Sequence, residues 1–322
     1  MSSPDFAMIS SPLSPRQREP RLMGNSDAAG DELVEQHLQH VFADGAMRKL
    51  KGEDIFGTRQ AYVGNELIDF GMMADGHGGA EAAKLCVAKV VEYICQEAQG
   101  DATSPSLRLA GRKAFTRLHQ EFCKTGWTDG TTLTVCIVNL ARRELTTLNV
   151  GDSEAILLQH PGGGGGVGDS SLPAPKRQLR AQKLTAEHRL DNSERECKRV
   201  MAHGAVTIGR ATHPRTGLPG GPLRVFPGGL AMARCIGDKD VGDVISPVPA
   251  ASTVPLAGAG GWDIIMCSDG VWDSLAHTAV LRLARMTTQA RPDKTAQLIV
   301  EAAVYVTAAS IPPALQPPPL PP

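Results

Sequence analysis

The sequence predicts an α+β fold in which antiparallel strands carry the core and amphipathic helices flank them. Three observations point that way. Residues 131–140, 144–150 and 153–159 are short apolar-rich runs separated by turns at 141–143 and at Gly151-Asp152, the pattern of an antiparallel meander. Residues 80–96 and 104–125 space their apolar side chains for a helix face, Ala82, Cys86, Val90 and Ile94 in the first and Leu107, Ala114, Leu118 and Phe122 in the second. Two further apolar runs, 68–74 and 262–268, each stop at Asp-Gly and lead directly into a helical pattern.

Taken in order, residues 1–30 are rich in Ser, Pro, Gly and charge and read as a disordered tail. Residues 31–50 carry a short helical pattern at Leu33, Leu38, Val41 and Phe42. Glu53-Asp54 then leads into a strand, and 68–74 is the strand that ends at Asp75-Gly76-His77. After the two helices and the meander, Gly162–Gly166 lies in a flexible loop insertion near 161–180; it lacks the Lys-Ser/Thr ending of a phosphate loop. A charged helix is expected around 192–203, a strand at 262–268, a helix from Val271 and a last helix at 294–309. The domain is therefore expected over 31–310. Residues 311–322 form a proline-rich tail whose Pro-x-x-Pro spacings could seat in an SH3 or WW groove.

Composition bounds the function. Across 322 residues, 42% are hydrophobic and 21% charged, the balance of a soluble globular chain. With 33 basic against 34 acidic side chains, nothing favours nucleic acid or an anionic membrane as partner, and 4% aromatics argue against a base-stacking surface. Seven cysteines, an odd number with no Cys-x-x-Cys, favour neither a disulfide framework nor a zinc site and read as buried thiols of a reducing compartment. No secretory signal or membrane-spanning run is evident, so a cytoplasmic or nuclear location is expected.

Asp75-Gly76, Asp269-Gly270 and Asp54 are acidic groups at strand ends. One Asp-Gly is ordinarily a turn and nothing more. Several carboxylates converging on one point need a cation there, since crowded like charges otherwise take up protons. Oxygen ligands suit magnesium or manganese better than zinc. A pair of such ions acidifies a bridging water and clamps a phosphoryl group, and an adjacent imidazole, His77, could protonate the leaving oxygen.

The ordered set Asp75-Gly76-His77-Gly78-Gly79, Gly130-Thr131-Thr132, Val150-Gly151-Asp152-Ser153-Glu154-Ala155, Leu184-Thr185-x-x-His188, Leu230-Ala231-x-x-Arg234-x-x-Gly237-Asp238 and Ser268-Asp269-Gly270-Val271-Trp272-Asp273 resembles the metal-dependent serine/threonine phosphatases of the 2C type, over roughly residues 45–310. The resemblance implies a four-layer α-β-β-α sandwich of two antiparallel sheets, with a two-ion magnesium or manganese site at one end. By position, Asp75 looks like the carboxylate bridging both ions, Gly76 the backbone-carbonyl ligand and Asp269 the ligand from the second sheet. Glu53-Asp54 is similar to the family's upstream acidic pair, at a spacing of 75 − 54 = 21 residues. His77 matches the general acid. Asp238 is an additional candidate ligand, although its motif and that of Asp152 are mainly structural turns in the family; Arg234 is expected to be an internal ion-pair partner.

Three departures stand out. Where the family places a phosphate-holding arginine, this chain has Lys49 with Arg48 beside it, charge without the same bidentate fork. Asp129 immediately precedes Gly130, out of register with the family's aspartate there. The family's closing Gly-Ser-x-Asp-Asn element is missing, and no aspartate follows Asp293. The resemblance therefore implies a lost metal ligand and a lost last edge strand, in a chain cut short or mis-spliced, or in a form with reduced metal affinity. Two functions follow: a phosphatase acting on phosphoserine and phosphothreonine in proteins by way of a bridging hydroxide, or a catalytically impaired relative that binds phosphoproteins as a regulatory module.

Overall fold

The computed structural model describes residues 6–12, 41–47, 52–159, 180–204, 206–212, 217–256, 261–288 and 294–310. The chain begins with β1 (Phe6–Pro12) and β2 (Val41–Met47), then the hairpin of β3 (Ile55–Val63) and β4 (Glu66–Ala74), and β5 (Gly76–His77). Two long helices follow, α1 (Glu81–Ala98) and α2 (Ser104–Cys123), and then β6 (Gly130–Thr131), β7 (Leu133–Asn139), β8 (Glu144–Val150), β9 (Glu154–Gln159) and β10 (Arg180–Lys183). A small lobe contains α3 (Glu194–Met201), β11 (Thr207–Thr212) and β12 (Pro219–Phe226). The last part comprises β13 (Ile236–Gly237), β14 (Ala250–Pro255), β15 (Trp262–Cys267), α4 (Asp269–Trp272), α5 (His277–Thr288) and α6 (Thr295–Ser310).

Two five-stranded antiparallel sheets, ordered β14-β8-β7-β4-β3 and β10-β9-β15-β1-β2, make the body. The period-two alternation of strand side chains assigns the layers. In β15, Ile264 and Met266 join Met73, Leu157 and Trp262 in a cluster shared by both sheets, while Ile265 and Cys267 pack outward with Val280 and Ile299 of α5 and α6. In β4, Phe70 and Met72 face outward to Val90, Ile94 and Leu118 of α1 and α2, and Met73 faces the other sheet. The order is thus helices, sheet, sheet, helices, as the resemblance implied. Each fully buried Leu, Ile, Met or Phe adds about 1.5–3 kcal/mol of transfer free energy to that arrangement. The α3 lobe has its own cluster around Val200, Val225, Met232 and Val241.

Several expectations change. Phe6–Pro12 is a strand rather than part of a tail, and Val41–Met47 is a strand rather than a helix. β1 pairs with β2 on one side and with β15 on the other, Ala7 opposite Cys267 and Ser10 opposite Ile264. Partners distant in sequence settle these segments against their local pattern. β15 lies inside its sheet, between β9 and β1, and among the described residues no strand follows α6. The rest of residues 1–40, nearly all of the glycine-rich insertion, the proline tail, Arg48 and Lys49 lie outside the described residues. No helix among the described residues is long and apolar enough to cross a membrane.

Candidate active site

The β3–β4 hairpin runs in register to Ile55 opposite Ala74, so Asp54 and Asp75 leave the sheet as neighbours. Gly76 is what lets them stay close. A Cβ there would stand 2.6 Å from the Glu53 carbonyl oxygen and 2.9 Å from that of Gly79. The peptide groups of Asp75 are fixed from the other side: Thr132 Oγ1 accepts from its N–H at 3.0 Å, while Thr132 N and Thr131 Oγ1 donate to its carbonyl at 2.9 and 3.0 Å. Gly130-Thr131-Thr132 is therefore a clamp on the Asp75 backbone.

Asp269 arrives from the opposite sheet, at the start of α4 just beyond β15. The Asp75 carboxyl lies close to the carboxyls of both Asp54 and Asp269, and Asp152, in the turn between β8 and β9, is near enough to act on both Asp75 and Asp269. Burial first, then the charges of Asp269, Asp54 and Asp152, push the Asp75 carboxyl well above the ordinary carboxylate range. Burial and Asp152 push Asp269 up to about 7, with Arg189 pulling the other way. This is the signature of acidic groups packed together with too little positive charge among them.

One guanidinium is already there. Arg189 donates from Nε to Asp152 Oδ2 at 2.6 Å, from Nη2 to Asp269 Oδ2 at 2.8 Å, and to Asp273 at 2.8 and 3.0 Å. Its own pKa rises further, burial being outweighed by the three aspartates. Sequence reasoning missed it; the only signal was its place beside His188. The same bonds change the reading of Asp152, whose carboxylate holds Arg189 instead of merely closing a turn.

His77 stands at the edge of this centre. The small sheet β13-β6-β5 sets His77 opposite Gly130 and Gly130 opposite Gly237. That places Asp238, in a left-handed backbone conformation at φ 52°, with its two carboxylate oxygens 2.9 and 2.8 Å from His77 Nε2. Burial opposes the imidazolium, but Asp238 outweighs it and the His77 pKa is raised. Cys235 Sγ donates to the same Asp238 carboxylate at 2.7 Å. Asp238, an expected candidate ligand beside Asp75, thus faces His77 and Cys235.

Residues 44–310 match the protein-family model described as Protein phosphatase 2C. The chain belongs to that family. It is 33% identical over 286 residues to Probable protein phosphatase 2C 5 of Arabidopsis thaliana, covering 85% of this chain and 61% of the relative. It is 34% identical over 296 residues to Probable protein phosphatase 2C 12 of the same plant, covering 88% and 61%. This phosphatase 2C chain thus spans about three-fifths of the length of these curated relatives. Among solved structures, serine-threonine phosphatase 2C from Toxoplasma gondii superposes with a TM-score of 0.63 at 17% identity, covering 96% of this chain and 92% of that one. A C. elegans sex determining protein superposes at 0.62 with 20% identity, covering 80% and 59%. These two likenesses speak for the shared fold.

The remaining motif residues of this phosphatase 2C chain serve the scaffold. Arg234 makes a two-pronged pair with Glu196 at 2.7 and 3.1 Å, the internal ion pair expected of it. His188 is buried, 3.0 Å from the Gly151 carbonyl through Nδ1, and burial with Arg234 nearby lowers its pKa to about 4. Asp129 accepts from the Ala82 N–H at 2.9 Å and so caps α1, which the sequence alone did not reveal.

Proposed function

We propose that this chain hydrolyses phosphoserine and phosphothreonine in proteins, using two magnesium or manganese ions held at the junction of its two sheets. The observation that carries this reading is the meeting of Asp54, Asp75, Asp152 and Asp269, with Asp75 and Asp269 both held above the normal carboxylate range. An oxygen-only donor set of that density fits hard divalent cations. Asp75, Asp54, Asp269 and the Gly76 carbonyl would hold them, with Glu53 acting through water. When bound, the ions activate a water for in-line attack and neutralise the phosphate.

The protein's own groups do the rest. Thr131 and Thr132 keep the Asp75 peptide from turning as charge enters the site. Arg189 holds Asp269 by Oδ2 and Asp152 by Oδ2, fixing both carboxylates in place. With Nε2 of His77 bonded to Asp238, Nδ1 is the nitrogen that would pass a proton to the serine or threonine oxygen as it leaves. Family membership supports the phosphoprotein substrate. Seven free cysteines accord with a cytoplasmic or nuclear setting.

The test is turnover of a phosphothreonine peptide with manganese, with and without a chelator. Asp75→Asn is expected to lower the rate by at least about a hundredfold. Activity that survived both chelation and the substitution would overturn the reading. Inactivity of a well-folded chain that still bound the peptide would favour the regulatory module, for which Arg189, already engaging Asp269 and Asp273, is the supporting observation.

A further inference from the structure

We propose that His77, Cys235 and Asp238 form a second cation site, separate from the carboxylate centre and suited to a soft divalent ion such as zinc, and that filling it stops catalysis by shifting the His77 ring from the position in which its Nδ1 passes a proton. The binding half stands by itself; the inhibitory half rests on the role proposed for His77. An imidazole nitrogen, a thiol sulfur and a carboxylate oxygen lie within 4.8 Å of one another. Asp238 is the hub, accepting from Cys235 at 2.7 Å and lying 2.8 Å from His77 Nε2. Neither arrangement is a loose surface encounter. Gly130 has no side chain where Asp238 sits, and the β5–β6–β13 pairing fixes His77 against it.

The donor chemistry separates the two centres. Asp54, Asp75 and Asp269 offer only oxygen, the set for magnesium or manganese, whereas one nitrogen, one sulfur and one oxygen make the mixed set that zinc prefers. Three protein ligands leave a fourth position of a tetrahedron for water. Around zinc the donor atoms stand roughly 3.3–3.8 Å apart, so the present bonds must open by about 1 Å or less. His77 can supply its share of that movement, since its side chain is 30% exposed; Cys235 is fully buried, so the opening of its bond to Asp238 falls to rotation of the Asp238 carboxylate. The ion replaces the two protons that Asp238 now shares with its neighbours, and both the Cys235 thiol proton and the His77 Nε2 proton leave to solvent. The cysteine spacing in the sequence hides this site because its ligands are brought together from residues 77 and 235–238 by folding.

The probe is cobalt(II), titrated into the full chain. Thiolate-ligated tetrahedral cobalt gives a near-ultraviolet charge-transfer band and strong visible colour, whereas cobalt among oxygens at the carboxylate centre is only faintly coloured. The band is expected in the wild-type chain and in Asp75→Asn, to be bleached by zinc, and to be absent from Cys235→Ser. His77→Gln, at a part-exposed position, keeps the thiol and is expected to weaken cobalt binding at least roughly tenfold. No band in the folded wild-type chain, or a band that persists in Cys235→Ser, overturns the site. Zinc inhibition of manganese-supported hydrolysis is read with each variant scaled to its own zinc-free rate. The half-inhibitory zinc concentration is expected to rise at least roughly tenfold in Cys235→Ser. An unchanged value, or a chain without phosphatase activity, overturns the inhibitory half while cobalt still decides the binding half.

Discussion

Gly130 is glycine because a Cβ there would lie only 2.0 Å from Asp238 Oδ2. In Gly130→Ala the carboxylate has to swing away from His77 or the β5–β6 pairing has to open. Overpacking of this kind costs about 1–3 kcal/mol. A lowered urea midpoint is expected, together with slower turnover at saturating manganese; a variant equal to wild type in both would show that Asp238 does not position His77. His188 is a second single-residue case. Its ordinary value is 6.5 and the fold lowers it to about 4. The unfolded chain takes up a proton there before the folded chain does, so stability present above the ordinary value is lost as pH falls towards about 4. The loss amounts to roughly 3 kcal/mol at most. His188→Asn keeps an amide donor for the Gly151 carbonyl, and denaturant melts across that range should show a shallower acid decline than wild type.

Helix α1 starts at Glu81 behind an N-cap residue, Ala80, that has no side-chain oxygen, and Asp129 supplies the missing acceptor to the Ala82 N–H from 47 residues away. Asp129→Ala should therefore cost about 1 kcal/mol, read as a shift in the urea midpoint. The elements themselves divide by how locally they are determined. The faces of α1 and α2 could be read from spacing because each repeats its period over many residues, and the strand β8 from its being a short run bounded by turns. β1 and β2 could not. Ser, Pro, Ala, Gly and Asp fill much of these strands, and pairing with β15 and with each other is what makes them strands. The Asp129 cap was hidden for the same reason: nothing near Ala80 in sequence announces its partner.

At the scale of the whole molecule, the two sheets bring their acidic ends to one place, and the motif residues Asp75 and Asp269 were legible because each closes an apolar run with Asp-Gly. Arg189 was not, since an isolated arginine on a charged segment carries no pattern until Asp152, Asp269 and Asp273 close around it. That meeting of charges makes stability depend on pH and on metal together. Without ions, Asp75 and Asp269 have folded-state pKa values raised above the ordinary range, Asp269 to about 7. Groups shifted in that direction contribute stability fully below the ordinary carboxylate value and lose it as pH rises through the folded value. If manganese binds the ionised set as proposed, it should stabilise little in acid and increasingly towards neutrality, by about 2.7 kcal/mol at a hundred times its dissociation constant. Melting curves with chelator and with manganese, taken from about pH 5 to about pH 8, should therefore diverge as pH rises. In Asp75→Asn the divergence should shrink, because one of the crowded carboxylates no longer titrates and a proposed ligand is gone. A gap between the two curves that stayed constant with pH would mean that the carboxylates are not what couples the ions to the fold.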